Sequence, residues 1–552
     1  MNGRVEAVEY RNPIVPGFSP DPSVVFVDGI FYLANSSFHI FPGLPIYASR
    51  DLREWTHIGN AINRPEQLSL RGASMAKSPL DTGHFMVGAG GLFAPTIRHH
   101  KGRFYIICTN FLEMKEPYEM QNFILWTTDI WAGKWSDPIY IPFHGIDPSL
   151  FFDDDDDRVY FQGCYAIDRK KQPSCTIKQF EIDVETGKRL SEEREIWGGH
   201  ARYDTEGPHI YKIGKWYYLL VAEGGTFEHH MLSISRSENI WGPYEDYESN
   251  PILTADGTSE YIQNTGHGEL FQDGSGQWWA VALAVRNENE GEPLGKENFV
   301  SPLGRESFLT AVEWPEGGWP KILQPKMKFT APPVQLPDGP TTAALNGTAA
   351  NIRTPPSVGN VYIRTPDLSR YQISEKGQCK IALLPSRNTL STPTDTSTFL
   401  GRRQRTLTSV ATASLATAGL KKCTHAGLAL YKDHLRYASL NFDSSTRLIS
   451  LRVVTFDNDT TISTGAPVAS DAQQVRFKVV SFPTKWVFLV NTRSDTVSEK
   501  DGGGWFEMGS LQAWQITARE MTGPMFGIFA HASEEGAEST PVEFLQFEVR
   551  DE

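Results

Sequence analysis

The chain is short of cysteine, of helical periodicity, of basic charge and of long apolar runs, and each shortage removes a class of function. Five cysteines (108, 164, 175, 379 and 423) in 552 residues are too few and too scattered for a disulfide framework. Cys164 and Cys175 flank a hairpin and fit either a disulfide or two reduced thiols. No CxxC or HxxxH spacing points to zinc. No stretch of about 18 apolar residues exists, so no membrane-spanning helix is expected. A net charge of −14 at pH 7 argues against a nucleic-acid partner, because phosphate binding needs clustered Lys and Arg. The same charge suits solubility and a neutral substrate. The start, Met1-Asn-Gly-Arg-Val, lacks the apolar core of a signal peptide. The expectation is a secreted protein read without its leader, with an intracellular one as the alternative. Sequons at Asn346 and Asn458 give slight support; a third, at Asn35, lies in an apolar strand run and is expected to be unmodified.

Aromatic residues are plentiful, at 12% with 14 Trp, which suits stacking on sugar rings and equally suits strands. Short β-branched and aromatic runs alternate with Gly, Asp, Asn and Pro, so the fold class is all-β. A degenerate unit recurs at intervals of about 55–75 residues, the spacing of a propeller or array. Its copies are Asp21-PSVVFVDGIFY, Ala94-PTIRHHKGRFY, Asp147-PSLFFDDDDDRVY, Glu206-GPHIYKIGKWY and His267-GELFQDGSGQWW. Each runs from one variable residue through an apolar strand and a turn to an aromatic strand, over 11, 11, 13, 11 and 12 positions. Five such hairpins predict a five-bladed β-propeller. Equivalent points of a radial array converge on the axis, so Asp21, Asp147, Glu206 and His267 are expected to meet at one end, with Ala94 silent.

Any one of these acids alone reads better as a turn residue that bonds its own backbone. Three together are costly unless used. Such a cluster suits glycoside hydrolysis. One carboxylate activates water, one protonated acid serves the leaving oxygen, and a third tunes that acid. The run Asp153–Asp157 lacks the Gly and ligand spacing of a calcium loop and reads as a solvated turn.

The segments NPIVPGFSPDPSVV (12–25), GIDPSLFFD (145–153), TEGPHIYK (205–212), AEGGT (222–226), GHGEL (266–270) and PLGRESF (302–308), in this order, resemble family 43 of the glycoside hydrolases. The nearest group is the two-domain β-xylosidases and α-L-arabinofuranosidases. The resemblance implies a five-bladed propeller and an inverting mechanism. It assigns Asp21 as general base, Glu206 as general acid and Asp147 as the acid that tunes Glu206. Arg305 matches an arginine of the sugar pocket, and Glu223 is placed with the substrate-binding residues as a supporting hydrogen-bond partner. His267 matches an axial histidine beside a metal ion or ordered water, hence a possible structural calcium; the chemistry itself requires no cofactor.

Phe38, with His39 beside it, matches the segment that offers an aromatic to the pentose. Phe93 stands where related β-xylosidases usually carry Trp. Tyr165 is expected at the rim, and Val285–Ser301 reads as an insertion shaping it. The changed aromatic wall favours an α-L-arabinofuranosidase on arabinoxylan, with a β-xylosidase on xylo-oligosaccharides as the alternative. A non-catalytic sugar-binding propeller is the alternative of another class. A retaining fructan hydrolase lacks support, because its Asn-Asp-Pro-Asn opening is missing. No obligate protein partner is evident.

The expected domains are a propeller over 1–329, a linker over 330–357 rich in Pro, Thr, Ala and Gly, and a sandwich over 358–552. Period-two alternation in LALYKDHLRYASLNF, LISLRVVTF, VRFKVVSF, KWVFLVNTR and PMFGIFAHA predicts this antiparallel β-sandwich. Trp505 and Trp514 are expected in its core, or else on a sugar-binding face.

Overall fold

A computed structural model describes residues 7–79, 85–112, 118–168, 171–288, 300–335, 357–374, 380–492, 504–517 and 521–552. The molecule is nearly all-β: a five-bladed propeller followed by a sandwich. Each blade is an antiparallel sheet of four or five strands. The blades open with Ser23–Val27, Gly91–His100, Gly145–Asp153, Glu206–Ile213 and Ile262–Gln272. These five strands touch in sequence around the axis, and the fifth returns to the first. Val8–Arg11 pairs with Lys328–Ala331, tying the two ends of this part of the chain together.

Alternation explains the layers. Residues on one face of a strand pack into the seam with the neighbouring blade, because successive side chains point to opposite faces. Phe161, Phe180 and Phe143 meet Ile107 and Ile124 in one seam. Tyr218, Leu220 and Ile234 meet Leu270, Ala280 and Val312 in another. Each fully buried side chain of this size contributes about 1.5–3 kcal/mol.

A polar plug closes the axis. Arg98 pairs with Glu269 at 2.5 Å, reaches Nδ1 of His209 at 3.0 Å and donates to the Leu150 carbonyl. Glu269 also accepts from Ser23 Oγ and the Val24 amide. All five blades meet in this one network. Glu269→Ala leaves the Arg98 charge without its partner, and breaking a buried pair in this way costs about 3–5 kcal/mol. A urea melt of that variant should show a clearly lower midpoint; an unchanged midpoint would mean the plug carries no stability.

The second part packs a seven-stranded sheet against a six-stranded one. The five predicted stretches fall on six strands, and Gln474–Phe482 shows the alternation directly in its burial. Trp514 does not enter the core: it is 52% exposed. Trp505 is half-buried beneath the Lys478 ammonium. Phe18, Phe38, Ile40, Val361, Ile363, Phe399, Tyr431 and Phe529 share one apolar cluster that welds sandwich to propeller. Tyr362–Ile363 pairs directly with Ile40–Phe41. Among the described residues no helix is long and apolar enough to cross a membrane.

Candidate active site

Four axial strands carry a residue in the left-handed region just where their ladder slips, and the first blade has one just ahead of its strand. These residues are Asp21 (φ 53°), Ala94 (31°), Asp147 (51°), Gly207 (56°) and His267 (32°). The ladders shift register around the last four. A bulge of this kind re-aims a side chain out of the sheet, and positive φ in non-glycine residues is a strain usually kept for function. A left-handed residue thus recurs at an equivalent point of each blade. One correction follows. The fourth station is Gly207, and Glu206 sits one position ahead of it. A Cβ at Gly207 would lie 2.9 Å from Cε1 of His267, so the station itself must be glycine and the acid is displaced by one.

The predicted acids do converge. Asp21 is buried; its Oδ2 accepts from Ser36 Oγ at 2.5 Å, and its Oδ1 lies 3.2 Å from Nη1 of Arg305. Ala94, silent in side chain, donates its amide to Ser36 Oγ at 2.7 Å and so holds that hydroxyl. Burial alone would lift the Asp21 pKa, but the Arg305 guanidinium, His267 and the Ser36 hydroxyl together hold it below the usual range. Arg305 is itself fixed by Thr226 Oγ1 at 2.8 Å and by the Met521 carbonyl at 3.2 Å. Its guanidinium lies 5.5 Å from the centre of the Phe38 ring.

Glu206 behaves oppositely. Burial first, then the charges of Asp147 and other neighbours, push its pKa well above the ordinary value. Burial likewise lifts Asp147 to about 6 against the pull of His267, whose Nδ1 is 3.7 Å away. After burial, the charge of Asp147 is the largest influence that raises Glu206. Within one site, one carboxyl is held below the ordinary range and another above it, the division of labour that acid–base hydrolysis needs.

Asp147, Glu206 and His267 present ligand atoms within 4.8 Å of one another. Calcium takes six to eight oxygens, and an ion here would claim the very proton-bearing acid. On the same strand, two residues beyond His267, Glu269 already has the Arg98 cation. The donor set does not fit a resident calcium, and no step is routed through one.

A cavity of about 450 Å³ opens over Glu206, within the range of small-ligand sites. Phe93 lines it and stacks on Phe111 at 5.5 Å, with Phe38 5.0 Å away. Other predicted residues lie elsewhere. His39 is buried 6.2 Å from Tyr431 of the sandwich. Tyr165 points to the seam between blades, its ring 3.1 Å from the Lys178 ammonium. Its strand neighbours Cys164 and Ala166 take the cavity face, as the pleat requires. Glu223 is buried, and its carboxylate accepts from the amides of His200, Ala201 and Arg202 and from Thr205 Oγ1. It organises a loop and does not face the cavity. Of the expected insertion, residues 289–299 lie outside the described residues. Asn35 has its amide tied to Ser19, Pro20 and Ser307 inside the protein.

Sequence reasoning missed Thr226, Tyr203, Asp204, Val87–Ala89 and Met521. AEGGT contained Thr226, and the loop ahead of Glu206 contained Tyr203 and Asp204. Met521 carried no signal, since it arrives from a domain two hundred residues away.

Comparisons with known proteins match both parts of the chain. The model of the glycosyl hydrolases family 43 matches residues 10–320. That of the beta xylosidase C-terminal concanavalin A-like domain matches residues 358–550. The chain is 34% identical over 436 residues to a non-reducing end alpha-L-arabinofuranosidase of Bacteroides ovatus, covering 78% of this chain and 75% of that one. It is 38% identical over 280 residues to a xylosidase/arabinosidase of Humicola insolens, covering 50% of this chain and 49% of that one. The crystal structure of a xylan beta-1,4-xylosidase from Bacillus halodurans superposes with a TM-score of 0.81 at 26% identity, over 98% of this chain and 100% of that one.

Proposed function

The chain belongs to glycosyl hydrolase family 43, an enzyme family of arabinofuranosidases and xylosidases, and from that premise we propose an inverting α-L-arabinofuranosidase that removes terminal arabinose from arabinoxylan. The observation that carries the catalytic reading is the opposed pair of carboxyls, Asp21 held ionised beside Arg305 and Glu206 held protonated over the cavity. Asp21 takes a proton from water as that water attacks the anomeric carbon. Glu206 gives its proton to the departing oxygen. Asp147 keeps Glu206 protonated until that moment, and Arg305 grips sugar hydroxyls while its charge keeps Asp21 ionised. Inversion follows from attack on the face opposite the leaving group, and NMR of the first-formed anomer tests it.

The choice of arabinose rests on the Phe93 wall and on the Bacteroides relative's name. The second reading, a β-xylosidase, has the Bacillus structure behind it. Product analysis separates them. Free arabinose from wheat arabinoxylan is the expected result. Xylose from the ends of xylo-oligosaccharides, with no arabinose, would establish the second reading. Since arabinoxylan is an extracellular polymer, secretion belongs to the same proposal.

A further inference from the structure

The loop between Trp197 and Glu206 is unusually constrained for a surface segment. Arg202 and Asp204 both adopt left-handed φ, 54° and 47°. Glu223, buried beneath, accepts three successive amides and a hydroxyl from the loop. A Cβ at Gly199 would fall 2.2 Å from that carboxylate, so the turn closes directly onto it. Asp204 is clasped from the other side by Gln172 Nε2 at 2.7 Å and Ser174 Oγ at 2.5 Å. The Tyr203 carbonyl accepts the Gly224 amide at 2.8 Å. Between these anchors stands one aromatic ring, Tyr203, lining the cavity and 45% exposed.

A flexible loop with an exposed tyrosine needs no explanation. A strained loop, pinned from beneath and from both flanks, with an exposed ring at its crest is different, because the strain persists only when its surroundings enforce it. Tyr203 and Glu206, three positions apart in the chain, line the same cavity. That is the side on which the proton is delivered, and hence the side of the departing group. An aromatic face held without conformational freedom binds an apolar ring face with little entropy cost. The C–H faces of a pyranose present such a surface.

We propose that Tyr203 is the platform on which the leaving-group sugar stacks, and that the Glu223-bound loop exists to hold it there. The enzyme therefore distinguishes aglycones by whether they present a pyranose face beside the scissile oxygen. This rests on the pentosidase reading above, and the test keeps the two apart. Wild-type, Tyr203→Ala and Tyr203→Phe enzymes are compared on an oligosaccharide substrate and on the glycosyl fluoride of the pentose released. The fluoride has no leaving sugar to stack. Tyr203→Ala should lose about tenfold in kcat/KM on the oligosaccharide, the order expected of one aromatic contact. It should stay within about twofold on the fluoride, and Tyr203→Phe should keep both rates. An equal loss on both substrates, or no loss on the oligosaccharide, would overturn the proposal. Wild-type turnover of the fluoride reads the pentosidase assignment by itself; an enzyme inert to both substrates would sink that assignment and the platform with it.

Discussion

Glu206→Ala should lower kcat/KM on arabinoxylan by about 10²–10⁴-fold, the range for losing a general acid, and by far less on a 4-nitrophenyl glycoside. The difference arises because nitrophenolate leaves without a proton, whereas a sugar alkoxide does not. The pH profile carries a second signature. The raised Glu206 pKa means that wild-type activity falls only as pH climbs through that value and the acid loses its proton. In the variant this alkaline limb should disappear for the nitrophenyl substrate. An equal loss on both substrates would remove Glu206 from the role of acid.

Asp21→Asn should lose a similar factor, about 10²–10⁴-fold, but on both substrates alike, because water must be activated whichever group departs. In the wild type the lowered Asp21 pKa places the acid limb of the profile below the ordinary carboxylate range. Activity rises as pH climbs through that value and the base ionises. Asparagine can keep the Ser36 hydroxyl bond but leaves the buried Arg305 without its carboxylate, so a urea melt run beside the assay must show that the variant is still folded. A variant with full activity on the nitrophenyl substrate would show that Asp21 is not the base. The pair of variants thus separates the two carboxyls by leaving group, which a simple loss of activity does not.

The chain's sequence disclosed the blades and most of the reacting groups because both are local. Asp147-Pro marks a bulge and Asp21-Pro the left-handed turn just ahead of its strand, each with a reacting carboxyl, and the aromatic strand that follows marks the blade. Glu206 was legible as an acid but not in its register, because the sequence does not show that His267 comes within contact of Gly207. Tyr165 and His39 were misplaced for a related reason. An aromatic near a motif declares itself, but the pleat decides which of two adjacent residues faces the cavity, and here Cys164 takes that face. The Met521 carbonyl lay beyond reach, since a backbone group carries no mark of its identity.

The Met521 carbonyl also bears on how such proteins diversify. It fixes the same guanidinium that holds Asp21 ionised, and a Cβ at Gly304 would lie 2.7 Å from the Thr522 carbonyl, so the two segments have been fitted to each other atom by atom. A chimaera that kept this propeller and borrowed a foreign sandwich would inherit all three acids, with an arginine still held by Asp21 and Thr226 but stripped of its third anchor. The sandwich is therefore part of what holds the reacting groups, and exchange of either half alone should lower activity until the seam is refitted.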